Sequence, residues 1–163
     1  MEEVNPRFIG AVILSLIVAF ALTILPIRAE WGLFKPEWLA LTFVHWGLVS
    51  PNKSSLVLAW FVGLLVDSVY GSILGQHALG YTIVLFMVLR MRSRLLVDSF
   101  LQQLFLVFLV LGTYLLINLW ILGITGNSPE GWGYWITVLT SLMIWPLYHY
   151  FLSFFHAVKK PFE

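Results

Sequence analysis

No cysteine occurs anywhere in this chain, so disulfides, thiolate catalysis and thiolate metal sites are excluded, and the redox compartment is left undetermined. Charge is almost as scarce. Only 10% of the 163 residues are Asp, Glu, Lys or Arg, against about 25% in soluble domains. A net charge of +1, with no basic stripe interleaved with aromatics, leaves no footprint for nucleic acid. Catalytic signatures are missing too: there is no G-x-S-x-G, no H-E-x-x-H and no second intramembrane aspartate to form a protease dyad. His149 and His156 stand seven apart on one helical face, His45 and His77 are scattered, and no H-x-x-x-H spacing exists. No metal, no cofactor and no enzymatic activity are therefore expected. Low-complexity segments and internal repeats are absent as well.

What the chain has in quantity is apolar sequence: 60% of residues are hydrophobic and the mean hydropathy is +0.92. These residues come in long blocks of the length that crosses a hydrocarbon core of ~30 Å at about 1.5 Å per residue. The expectation is a single integral membrane domain over residues 1–163, all-α and polytopic, with six spans. They fall at 8–25, 37–49, 55–74, 77–90, 100–124 and 132–155. The first is too long for a signal-peptide core and is preceded by Glu2 and Glu3, so it reads as a retained helix. The second, opened by Pro36 and closed by Pro51, barely spans at roughly 20 Å. It must sit within protein, tilt little, or recruit residues 31–34. In the sixth, Trp145-Pro146 predicts a kink.

Orientation follows from the basic residues. With the N-terminus inside, the inner segments hold Arg7, Lys53, Arg90, Arg92, Arg94, Lys159 and Lys160, and the outer ones only Arg28 and Lys35. Seven against two predicts both termini in the cytoplasm. Trp31, Trp38, Trp132, Tyr134 and Trp135 then fall at the outer interface, where amphipathic rings prefer to sit. The cytoplasmic basic loop at 90–94 reads as a topology anchor drawn to anionic lipid, or as a docking site for a cytoplasmic protein.

One carboxylate interrupts this pattern. Asp67 lies within GLLVDSVYGSILG (63–75), with Gly63, Gly71 and Gly75 at four-residue spacing, which on a continuous helix is a single small-residue stripe. An intramembrane carboxylate costs at least ~2.5–3.5 kcal/mol on insertion scales and should face protein or a watery cavity. Three roles are open to Asp67: a polar anchor for helix packing, a contact for a partner helix or ligand, or a station for proton or ion movement. Asn118 lies at similar depth, and the two side chains are expected within one water's reach. Ala11, Ser15 and Ala19 form a second small-residue ladder, for packing inside the protein or against another subunit.

These features together resemble the MreD family of the bacterial rod-shape machinery. The resemblance rests on the G-x-x-x-D-x-x-x-G-x-x-x-G core at 63–75, on Lys35-Pro36-Glu37-Trp38 opening a short span, and on Trp145-Pro146 in the last helix. It implies a non-enzymatic scaffold of the elongasome in the inner (cytoplasmic) membrane. Such a scaffold binds MreC, a bitopic protein, and through it links MreB filaments to peptidoglycan synthases, a RodA-type glycosyltransferase and a class-B penicillin-binding protein. The architecture is also similar to the six-helix S-components of ECF vitamin transporters, which makes a small-molecule or lipid carrier the rival reading. In the outer half, only Asp67, Asn118, Gln76, His77, Asn127 and a few hydroxyls offer polar groups to a ligand.

Overall fold

Apolar runs become helices because each apolar block closes its own backbone hydrogen bonds, and Pro26, Pro36, Pro51 and Gly71 fall at helix ends. A computed structural model describes residues 6–26, 32, 34–95, 99–126 and 131–157. Among these lie six α-helices: α1 (Pro6–Ile24), α2 (Trp38–Val49), α3 (Leu56–Tyr70), α4 (Gln76–Leu95), α5 (Phe100–Ile124) and α6 (Ile136–Ala157). Short 3₁₀ turns, Pro51–Lys53 and Trp132–Trp135, precede α3 and α6, and the described residues contain no strand. Two stretches, Phe100–Ile124 and Trp132–Phe154, are long and apolar enough to cross a membrane. The runs Phe8–Ile24, Trp38–Val49 and Leu56–Tyr70 are apolar but shorter.

The shortest helix has the most enclosed position. Every residue of α2 from Leu39 to Gly47 is buried, because α1, α4, α5 and α6 all pack against it. A 12-residue helix is about 18 Å long, too short to present ends to both faces of a bilayer, so its enclosure resolves the problem its length raised. Around it, α1, α5 and α6 turn Ile13, Ile17, Phe105, Leu116, Met143 and Leu147 outward, the pattern of helices whose outer face meets an apolar solvent.

Two boundaries differ from the expectation, each for a local reason. Apolar sequence continues to Leu74, yet α3 ends at Tyr70 because Gly71 takes a left-handed conformation (φ 64°) and closes the helix. Gly71 and Gly75 therefore lie in the turn between α3 and α4, not on a helical stripe with Gly63 and Asp67. In the other direction, α4 runs on through the basic cluster to Leu95. Arg90 and Arg92 thus stand on the last turns of a helix instead of in a loop, where a cation complements the helix dipole. The side chains of Arg7, Arg94 and His156, and residues 28, 31, 127, 159 and 160, lie outside the described residues.

The α3–α4 pair is the most extensive interface in the bundle. Its closeness depends on Gly63, where an added Cβ would come within 2.2 Å of the Ala78 Cα and 2.4 Å of its nitrogen. Both are backbone atoms, so no rotamer change can make room.

Candidate functional site

Asp67 stands three residues before the end of α3 and is 1% exposed. Its carboxylate points across the turn at the first residues of α4. Oδ1 accepts from Ser72 Oγ (2.7 Å), the His77 backbone N–H (2.9 Å) and His77 Nδ1 (2.7 Å). Oδ2 accepts from the Gly75 N–H (2.9 Å) and more weakly from the Ala78 N–H (3.4 Å). A helix start leaves its first backbone N–H groups without partners, and here a carboxylate from the preceding helix supplies them, with the α4 dipole adding attraction. Five bonds fall on two oxygens that offer about four lone-pair positions. Nothing of Asp67 is left over for substrate, and the glycine turn serves to fold those donors back onto it.

Asn118 belongs to the adjoining layer. Its Oδ1 accepts from Gln76 Nε2 (2.9 Å) and its Nδ2 donates to the Tyr114 carbonyl (3.0 Å). Gln76 sits in the chain between Gly75 and His77, both bonded to Asp67, so the two polar residues grip the same turn from α3 and α5 through different partners.

Elsewhere, polar side chains fasten helices pairwise. On the ladder of α1, Ala19 is fully buried, and Ser15 Oγ accepts from Trp46 Nε1 of α2 (2.9 Å) while donating to its own Val12 carbonyl (2.8 Å). Part of that ladder is thus spent inside the protein. Thr42 and Tyr148 share a hydrogen bond of 2.7 Å between α2 and α6. Trp145 is fully buried, with no hydrogen-bond partner for its indole nitrogen, and α6 continues through Pro146. Two histidines that are distant in sequence meet: His45 Nδ1 and His149 Nδ1 are 3.1 Å apart, the rings in edge contact at 4.7 Å. Among the described residues no group of three or more His, Cys, Asp or Glu could hold a metal ion.

The least saturated place is a cavity of about 290 Å³ at the end of the bundle where α1 and α3 finish and α2, α4 and α6 begin. Thr23, Lys35, Glu37, Tyr70, His77 and Tyr81 are among its walls. Tyr70 and His77 stack at 5.8 Å, His77 and Tyr81 lie 6.1 Å apart, and Tyr81 stacks on Tyr114 at 5.4 Å, a continuous aromatic wall. Lys35 Nζ donates to the Thr23 and Leu25 carbonyls at the end of α1, and Tyr70 Oη also donates to Thr23. Partial burial pulls the Lys35 ammonium below its usual range, and the nearby Glu37 carboxylate works against that. Glu37 faces the Tyr114 hydroxyl and lies within electrostatic reach of Tyr70, Tyr81 and Tyr134. Among the described residues it forms no ion pair.

Sequence reasoning singled out Asp67 and Asn118 but passed over this cavity. Lys35 and Glu37 enter the sequence reading as residues opening a span, and Lys35 also as an outer basic residue in the orientation count. The signal available was their position: two opposite charges two residues apart, flanking Pro36 at the mouth of a helix too short to cross a bilayer. Apart from this site, an apolar groove of about 290 Å³ runs between α1 and α6, lined by Gly10, Ala11, Leu14, Val18 and Phe151 with Trp46 at its floor.

A protein-family model described as "rod shape-determining protein MreD" matches residues 6–155. A rod shape-determining protein MreD from Haemophilus influenzae is 40% identical over 63 residues, a stretch covering 39% of this chain and 39% of that relative. No solved structure matches the chain.

Proposed function

The chain belongs to the MreD family of rod shape-determining proteins, and on that premise we propose that it works as a non-enzymatic scaffold of the cell-wall elongation complex. It sits as a six-span, N-in and C-in bundle in the inner membrane. It binds an MreC-like bitopic partner there, and through that partner joins MreB filaments to a RodA-type glycosyltransferase and a class-B penicillin-binding protein.

The observation that carries this reading is the groove between α1 and α6. Small residues at its α1 wall, Gly10 and Ala11, let a foreign helix backbone approach. Leu14 and Phe151 at its rim are exposed apolar side chains that gain contacts when it is filled. Asp67 supports the same reading from the other side, since a carboxylate fully committed to its own chain is suited to holding a shape.

The test is co-purification from detergent with an MreC-like protein, using Ala11→Trp to fill the groove. Wild type recovers the partner, and Ala11→Trp loses most of it while keeping its own melting temperature. Undiminished recovery by the variant would refute docking in the groove. Recovery with an ATPase pair and tight vitamin binding would instead install the S-component reading.

A further inference from the structure

The cavity at the end of the bundle combines features that packing alone leaves unexplained. Glu37 is a carboxylate enclosed by tyrosines with no described cation bonded to it. Tyr81, fully buried, has no hydrogen-bond partner for its hydroxyl at bonding geometry, although Tyr114 stacks beside it. Lys35 has three N–H donors, of which the Thr23 and Leu25 carbonyls take two. A carboxylate met only by the Tyr114 hydroxyl and the more distant Lys35 charge, and a buried hydroxyl with no well-formed hydrogen bond, are incompletely compensated, and a ligand that answers both recovers free energy.

From these groups we infer that the cavity is a binding site for a small zwitterion, a primary ammonium joined by a short linker to a phosphate or carboxylate. The ammonium donates to Glu37 and to Tyr81 Oη, over the faces of Tyr70 and His77, where aromatic rings attract a cation. The anion takes the third Lys35 donor. The cavity, about 290 Å³, lies at the lower limit of ordinary ligand pockets of ~300–1,000 Å³, which suits a phosphoethanolamine or amino-acid-sized group and excludes a vitamin with a large ring system. Two sources supply this chemistry: the headgroup of phosphatidylethanolamine, reaching the bundle end from the lipid, and a free zwitterion from solution. The site is separate from the α1–α6 groove, so a scaffold that fails to bind MreC can still hold the ligand, and the reverse.

The experiment titrates the purified full chain in detergent with short-chain phosphatidylethanolamine, phosphatidylcholine and phosphatidylglycerol, with soluble O-phosphoethanolamine, and with N-acetyl-lysine amide. Native mass spectrometry and thermal shift read binding. Phosphatidylethanolamine or O-phosphoethanolamine binds at least about tenfold tighter than the choline and glycerol lipids, and Glu37→Gln and Lys35→Met each lose about tenfold, as expected for a hydrogen bond to a charged group. Competition by O-phosphoethanolamine assigns the free source, and binding of the lipid alone assigns the headgroup. Equal binding of phosphatidylcholine, or wild-type affinity in both variants, overturns the site. So does a preference for N-acetyl-lysine amide, which makes the cavity a receptor for a partner's lysine. Should Glu37→Gln fail to fold, Lys35→Met and the competition on wild type decide.

Discussion

Asp67 and Glu37 are two carboxylates at the same end of one bundle, and the fold treats them in opposite ways. Asp67 receives five hydrogen bonds within eleven residues of its own position. Glu37 has the Tyr114 hydroxyl and, beyond ion-pair distance, the Lys35 charge, and it borders a cavity walled by Tyr70 and Tyr81. Asp67 is buried and Glu37 half-buried, so enclosure of a carboxylate is not in itself a sign of chemistry. What separates an internal fastener from a receptor is whether the chain has already supplied the donors.

Substitutions separate the two sharply. Asp67→Leu leaves three backbone N–H groups and two side-chain donors facing an apolar side chain, a loss of about 3–5 kcal/mol by analogy with breaking a buried ion pair. Thermal unfolding in detergent should show it, together with loss of rod shape in cells complemented by the variant. If Leu behaves as wild type, the hydrogen bonds at the turn carry no stability. Gly63→Ala should follow at about 2–3 kcal/mol, since the α3 and α4 backbones must part to admit the methyl group; an unchanged melting temperature would mean the helices slide apart freely. Asp67→Asn keeps one acceptor oxygen and should lose only about 1–2 kcal/mol, leaving partner recovery intact. Ser15→Ala removes the acceptor of the Trp46 indole N–H and should lose about 1 kcal/mol. The smallest effect belongs to the other carboxylate: Glu37→Leu should change stability by less than about 1 kcal/mol, because it removes a half-buried carboxylate whose side-chain bonding is confined to the Tyr114 hydroxyl. A drop as large as that of Asp67→Leu would erase the contrast.

Much of the helical architecture can be read from the sequence, because proline and apolar run length decide helix ends locally. The fifth span was expected at 100–124 and α5 occupies Phe100–Ile124; the second was expected from Glu37 and α2 starts at Trp38. Family membership could be read from the same short motifs. The end of the third span could not, since a glycine at four-residue spacing looks the same whether it lies on a helix or closes one in a left-handed turn. At Gly71 only the second possibility lets the Gly75–Ala78 donors fold back onto Asp67. Relations between helices were equally hidden. His45 and His149 stand 104 residues apart, and no local spacing reports that α2 and α6 face each other there. The cavity draws its walls from five helix ends and one connecting segment, so no window along the chain contains it.

The Asp67 turn has a further consequence, for how the protein enters the membrane. Every donor to its carboxylate lies between Ser72 and Ala78, in the few residues that leave the ribosome directly after it. The acid therefore need not wait for α5 or α6 to be synthesised before its charge is compensated. If α3 and α4 leave the translocon as a closed hairpin, Asp67 reaches lipid already sheathed in N–H groups, and the insertion penalty that a bare aspartate would carry is met by residues made within seconds of it.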